Sequence, residues 1–326
     1  MAVLQVIAGF VLLLGCAEFL IRGAVAVARR LSISPLVIGM TVVAVGTSAP
    51  ELVVCLNSAL TGSPGIAVGN VVGSNIANVL LILGVAGLIS PIAAQPKAFV
   101  RDGGMLFGCS LMFAILLWQG EIDMWSGILL LTLFFAFLGY AYRQGRQGAA
   151  GVAQAQVEEV NELANVPRSG ILSWVFLLVG LLGILVGADL LVEGGVSLAR
   201  SFGISEEVIG LTLVAIGTSL PELAASVLAA WRGHPDILLG NVIGSNFFNI
   251  LGVIGVTAIA SPLPVADQIL SFDLWVMLGS SLLLIPFVLS GGRLDRREAG
   301  FYVFVYAAYI GAQAYGVEGM LAGLTL

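Results

Sequence analysis

Long apolar runs alternate along this 326-residue chain with short connections marked by proline, glycine and arginine. Cut at that punctuation, the pattern predicts ten helices, at about 3–28, 34–60, 65–89, 98–119, 123–142, 170–199, 204–231, 235–260, 269–290 and 297–323. Each has the roughly 20 residues that cross a bilayer core. The first run continues past Glu18 to about Ala28, too long for a signal-peptide core, so a retained first helix is expected. One sizeable hydrophilic stretch, 143–169, lies near the middle as a linker would, and is too short for a folded regulatory domain. The expected division is a first five-helix block at 1–142, the linker at 143–169, and a second block at 170–326.

Composition agrees with a polytopic membrane protein. Hydrophobic residues make up 59% of the chain and charged residues 10%, against about 25% charged in a soluble domain. Cys16, Cys55 and Cys109 lie in apolar runs without paired spacing, as small core residues do, and the lone histidine, His234, sits in a connection. No Cys/His cluster offers a zinc or copper site, no cofactor is expected, and no nucleic-acid partner is expected beside the lipid bilayer.

The basic residues fix an orientation. Connections after helices 1, 3, 5, 7 and 9 hold Arg29, Arg30, Lys97, Arg101, Arg143, Arg146, Arg168, Arg232, Arg293, Arg296 and Arg297. The other side holds Arg200 alone, eleven against one, with Arg22 inside helix 1. The positive-inside rule then puts the linker in the cytoplasm and both termini outside.

A shift of 171 residues lays the second half on the first. "GTSAPEL" (46–52) falls on "GTSLPEL" (217–223), and "GNVVGSNIANVLLILG" (69–84) on "GNVIGSNFFNILGVIG" (240–255). Glu18 meets Asp189, Gly23 meets Gly194, and Asp102 meets Asp273. Each half has five helices, an odd number, so the second copy crosses the membrane in the opposite sense. Inverted repeats of this kind are a transporter architecture with its site near the midplane.

The repeated blocks carry oxygen chemistry. Pro50 removes a hydrogen bond and clashes with the carbonyl of Gly46, so the carbonyls near Ala44 are expected to lose their partners. In lipid such a break is tolerated where backbone lines a cavity or meets a ligand. Thr47, Ser48 and Glu51 cluster near one face; the second copy offers Ala215, Thr218, Ser219 and Glu222. Ser74 with Asn78, and Ser245 with Asn249, are each four apart and share a helix face. Two carboxylates among amides, hydroxyls and carbonyls suit Ca²⁺, which takes about 6–8 oxygens, better than the smaller octahedral Mg²⁺. Sodium would use the same oxygens, and competition for shared ligands is the simplest route to obligatory exchange.

These paired motifs resemble the two alpha repeats of the cation/calcium exchanger superfamily, especially its prokaryotic sodium/calcium antiporters. The resemblance covers essentially the whole chain, with the motifs at 39–84 and 210–255. It implies an all-α membrane protein of ten transmembrane helices in two inverted five-helix repeats. Broken helices 2, 3, 7 and 8 would surround a midplane ion site, and helices 1 and 6 would lie long and tilted across them. Carried over position by position, it implies ion ligands Thr47, Ser48, Glu51, Ser74, Asn78, Thr218, Ser219, Glu222, Ser245 and Asn249, with the carbonyls of Ala44 and Ala215. The implied activity is exchange of Ca²⁺ for Na⁺ by alternating access, not catalysis. Several family members carry aspartate where this chain has Asn249. That argues against potassium dependence and leaves proton/calcium antiport as the alternative, with a cation channel behind it.

Blander readings exist for some of these residues. Ser74, Asn78, Ser245 and Asn249 suit interhelical hydrogen bonding, and Asn75 and Asn246 suit it more. Glu18 and Arg22 are spaced to pair within helix 1. Asp189 and Glu193 suit ion access or gating as well as structure. Asp102 and Asp273, near helix starts, suit dipole stabilisation. An intramembrane hydrolase would need a nucleophile with a base, or metal ligands; the only histidine lies in a connection and no Asp or His partners Ser48 or Ser219, so that class is disfavoured.

Overall fold

The computed structural model describes residues 1–93, 96–161, 169–202, 217–289 and 293–315. They are predominantly helical. Among the described residues, six helices are long and apolar enough to cross a membrane, and a bent pair makes a seventh. We label the helices α1 (Ala2–Leu31), α2 (Pro35–Thr47), α3 (Ala49–Leu60), α4 (Gly65–Ile89), α5 (Pro96–Leu117) and α6 (Met124–Asn161). After them come α7 (Gly170–Ser201), α8 (Leu220–Trp231), α9 (Pro235–Ala260), α10 (a π turn Ile269–Asp273 leading into Leu274–Leu289) and α11 (Arg296–Tyr315). The expected first half of helix 7 lies outside the described residues.

Helix 5 does not stop at 142. It runs on to Asn161, through much of the hydrophilic stretch. Ten of the residues 143–161 are Ala, Gln or Glu, which favour helix without needing a buried face, and they offset Gly145, Gly148 and Gly151.

The chain forms two compact units, Met1–Ala49 with Phe135–Ser245, and Pro50–Phe134 with Asn246–Leu326. Each unit draws on both sequence halves.

In the first unit, α1 and α7 pack against each other along their length. At about 1.5 Å rise per residue, helices of 30 and 32 residues are longer than a hydrocarbon core of about 30 Å. Glycines permit the close approach. A Cβ on Gly9 would come within 2.7 Å of the Leu191 nitrogen, and one on Gly194 within 2.9 Å of the Ala2 carbonyl and the Val6 nitrogen. Gly180 lies tighter still on Leu20, and Gly23 on Leu177. The partner numbers fall as the glycine numbers rise, so the two helices are antiparallel. The pairs also exchange under the 171-residue shift, Gly9/Leu191 becoming Gly180/Leu20. Glu18 accepts from Arg22 as its spacing predicts, and also from Arg232 at 2.7 Å.

The second unit shows the same inversion through two short antiparallel bridges. Ile92–Ala93 (β1) pairs with Arg293–Leu294 (β4), and Glu121–Ile122 (β2) pairs with Leu263–Pro264 (β3). Helix α5 leads from β1 to β2, while α10 leads from β3 to β4. The two helices therefore run in opposite directions. Ser110 of α5 lies 3.4 Å from Ser281 of α10, its own partner under the shift, as a residue on a local two-fold axis must. The β1–β4 bridge joins connections followed in sequence by Lys97 and Arg101 on one side and by Arg296 and Arg297 on the other, and β2–β3 joins connections carrying Glu121, Asp123 and Asp267. Trp118 and Trp275 meet edge to face, largely exposed, close to the acidic bridge, where an aromatic belt is expected.

Asp102 and Asp273 are corrected. Neither lies in a first helical turn. Asp102 is buried beside Arg101, and Asp273 is buried and accepts from Tyr309 at 3.0 Å and from Gln313.

Candidate cation-binding residues

The sequence GTS-x-PE has closely similar backbone at its serine in both copies, just ahead of a helix start. In the first copy α2 ends at Thr47 and α3 begins at Ala49, bent by 43°. Ser48 between them has φ −85° and ψ 13°; Ser219, before α8, has φ −90° and ψ 3°. Each proline then sits in the first turn of the following helix, where its missing N–H costs nothing. Glu51 and Glu222 fall in that same first turn, facing the positive end of a helix dipole. The glycine before each Thr-Ser fits where a side chain would collide, Gly46 against Leu181 and Gly217 against Val192.

The carbonyl expected to be free at Ala44 is engaged. It accepts from the Ser48 N–H at 3.0 Å and from the Thr47 hydroxyl at 3.4 Å. The helix ends by a normal i→i−4 bond before the proline takes effect, so any cation would share that oxygen. Ala215 lies outside the described residues.

Helices 3 and 8 were expected to break and do not. α4 and α9 run through, each with a π-helical turn, Asn78–Ile82 and Phe248–Val253. Neither has an interior proline, so the backbone widens instead of parting. Such π turns recur at functional sites, and here one opens on Asn78 and the other contains Asn249.

Within the first unit, the Ser48 hydroxyl donates to Glu222 Oε1 at 2.6 Å. The Thr47 hydroxyl donates to Asn241 Oδ1 at 3.1 Å, and Asn241 in turn donates to Ser226 Oγ at 3.0 Å. Thr47, Ser48, Ser219, Glu222 and Ser245 are all buried. Within the second unit, Glu51, Ser74 and Asn78 are buried, as are Asn75, Asn246 and Asn249. Asn78 donates to Asn246 Oδ1 at 2.9 Å, and Asn249 to Asn75 Oδ1 at 3.2 Å.

Among the described residues, Asn78 Oδ1, Thr218 Oγ1, Ser219 Oγ, Glu222 Oε2, Ser245 Oγ and Asn249 Oδ1 are each buried without a hydrogen-bond partner. An unsatisfied buried acceptor costs about 1–3 kcal/mol. Every one of these oxygens belongs to a predicted ligand, and hard cations are the ligands that such oxygens suit.

Sequence reasoning passed over Asn241 and its counterpart Asn70, which donates to Cys55 Sγ at 3.3 Å. The signal was available. Each asparagine stands four residues before a predicted ligand serine, and the shift maps Cys55 onto Ser226.

A sequence profile described as "Sodium/calcium exchanger protein" matches residues 1–143 and 172–315. The chain belongs to the sodium/calcium exchanger family. It is thus an integral membrane transporter. It is 37% identical to the inner membrane protein YrbG of Escherichia coli over 87% of each chain. Its identity to the sodium/calcium exchanger MaX1 of Methanosarcina acetivorans is 34%, over 93% of this chain and 95% of that one. Among solved structures it matches the sodium-calcium exchanger NCX_Mj soaked with Na⁺ and Ca²⁺, with a TM-score of 0.82 and 32% identity over 95% of this chain and 98% of that one.

Proposed function

We propose that this family member is a secondary active antiporter exchanging Ca²⁺ for Na⁺ by alternating access. It would span a prokaryotic inner membrane ten times as two inverted five-helix repeats, with both termini outside and the 143–169 segment in the cytoplasm. The ligands are Thr47, Ser48, Glu51, Ser74, Asn78, Thr218, Ser219, Glu222, Ser245 and Asn249, with the carbonyls of Ala44 and Ala215. The observation that carries this reading is the set of buried, unpartnered oxygens, all on those residues. Ca²⁺ fits a set with two carboxylates because it accepts many oxygens in flexible geometry. Family membership and the likeness to MaX1 and NCX_Mj favour sodium as the counter-ion.

Charge decides the expected electrical behaviour. With Glu51 and Glu222 ionised, the ligand set carries a formal charge of −2. One Ca²⁺ neutralises it, whereas three Na⁺ would leave it at +1, so a three-for-one cycle moves net charge in at least one half-reaction. Neither Asn78 nor Asn249 adds an acid, so potassium is not required.

Calcium binding to the purified protein tests the ligand set. Radiocalcium should bind saturably, be displaced by Na⁺ without K⁺, and fail to bind the Glu222→Gln variant. Binding that survives that change undiminished would remove Glu222 from the set.

A further inference from the structure

The two asparagine pairs of the second unit carry a finer assignment, resting on the reading of Asn78 and Asn249 as ligands. A carboxamide has one oxygen end, which can meet a cation, and one NH₂ end, which repels it. Rotation by half a turn about the last side-chain bond exchanges the two. The ends differ little in shape, so packing alone selects weakly between them. Selection needs a hydrogen-bond partner that accepts but does not donate at that point.

Both ligand amides meet a carboxamide oxygen on the opposite helix. The Asn78 NH₂ of α4 is taken by Asn246 Oδ1 of α9, and the Asn249 NH₂ of α9 by Asn75 Oδ1 of α4. The Nδ2 at the other end of the Asn75 side chain is buried without a hydrogen-bond partner. The pairs exchange under the 171-residue shift, Asn75 mapping to Asn246 and Asn78 to Asn249. All four side chains are at most 2% exposed, and the Oδ1 atoms of Asn78 and Asn249 are left without a hydrogen-bond partner. Each donor end is occupied and each oxygen end is open.

We propose that Asn75 and Asn246 are positioning residues, which hold the carboxamides of Asn249 and Asn78 oxygen-first toward the transported cation. They act through the ligand asparagines and need not touch the ion. Their placement three residues before each ligand lets one helix turn supply a ligand to its own repeat and an orienting acceptor to the other.

The test uses the full-length protein in proteoliposomes and compares backgrounds. Asn246→Leu removes the acceptor and should raise the apparent KM for calcium about fivefold to tenfold, the worth of one lost hydrogen bond. In an Asn78→Asp background both terminal atoms of the ligand are oxygens, so orientation no longer matters. There the same Asn246→Leu change should alter KM by less than about twofold, the shift that a few tenths of a kcal/mol produces. A packing role for Asn246 predicts equal losses in both backgrounds, and that result would overturn the proposal. The mirror-image series, Asn75→Leu with and without Asn249→Asp, asks the same question if Asn246→Leu does not fold. If Asn78→Asp leaves the calcium KM untouched, the ligand assignment itself fails, and the orienting role falls with it.

Discussion

The Ser48 hydroxyl donates to Glu222 Oε1 at 2.6 Å, joining the two copies of one motif across 174 residues of sequence. A serine from the first repeat thus holds the carboxylate of the second, leaving Glu222 Oε2 buried and open. Glu222→Gln keeps the shape and the Ser48 contact while removing the charge. Sodium-driven calcium uptake should be abolished in Glu222→Gln and equally in Glu51→Gln, with both variants folded and inserted as judged by size-exclusion profile and membrane yield. Near-normal uptake in either would release that residue from the ligand set.

The helix pair α1/α7 predicts a packing effect. Gly180 lies against the backbone of Leu20 and the carbonyl of Cys16, where no side chain can fit without moving α1. Gly180→Leu should destabilise the protein by more than the roughly 1–3 kcal/mol usual for overpacking. Thermal unfolding in detergent reads this as a lowered midpoint or lost yield. Gly15, with open space at its Cβ position, is the control, and Gly15→Ala should be near neutral.

How much of this was readable in sequence varies with the range of the interaction. The motif copies, the opposed directions of α1 with α7 and of α5 with α10, and the Glu18–Arg22 pair were legible, because repetition, parity and four-residue spacing are local or countable. Arg232, the other partner of Glu18, is 214 residues away and carried no signal. The π turns at Asn78 and Phe248 also left no mark, since neither glycine nor proline is needed to widen a helix by one residue. The reach of α6 to Asn161 was not legible, because hydrophilicity at 143–161 marks the end of an apolar run and not the end of a helix. The engaged Ala44 carbonyl shows a further limit. Pro50 removes the bond to the Gly46 carbonyl, while Ala44, two residues earlier, keeps its ordinary bond from the Ser48 N–H.

Topology can be tested at Gly148, on α6 beyond the expected end of helix 5. A cysteine placed there, in a background with Cys16, Cys55 and Cys109 replaced, should resist an impermeant thiol reagent on intact cells and react after permeabilisation. Ready labelling of intact cells would invert the orientation.

Protons should compete with calcium for Glu51 and Glu222, so exchange should fall as the medium is acidified. His234 is the other group that could be suspected. Burial, aided by Arg29, pushes its imidazole pKa below the ordinary value, so it stays neutral where an exposed histidine would begin to charge. His234→Asn should therefore keep the same acid inhibition of uptake. A pH profile flattened by that substitution would move the proton effect to the α8–α9 connection.

The central claim is the coupling ion, and calcium uptake into proteoliposomes under separate imposed gradients tests it most directly. An outward sodium gradient, without potassium and without a pH difference, should drive uptake that responds to membrane potential, while a pH gradient in sodium-free vesicles should drive little. Full-rate uptake under the pH gradient alone would make the protein a proton/calcium antiporter and contradict the sodium assignment.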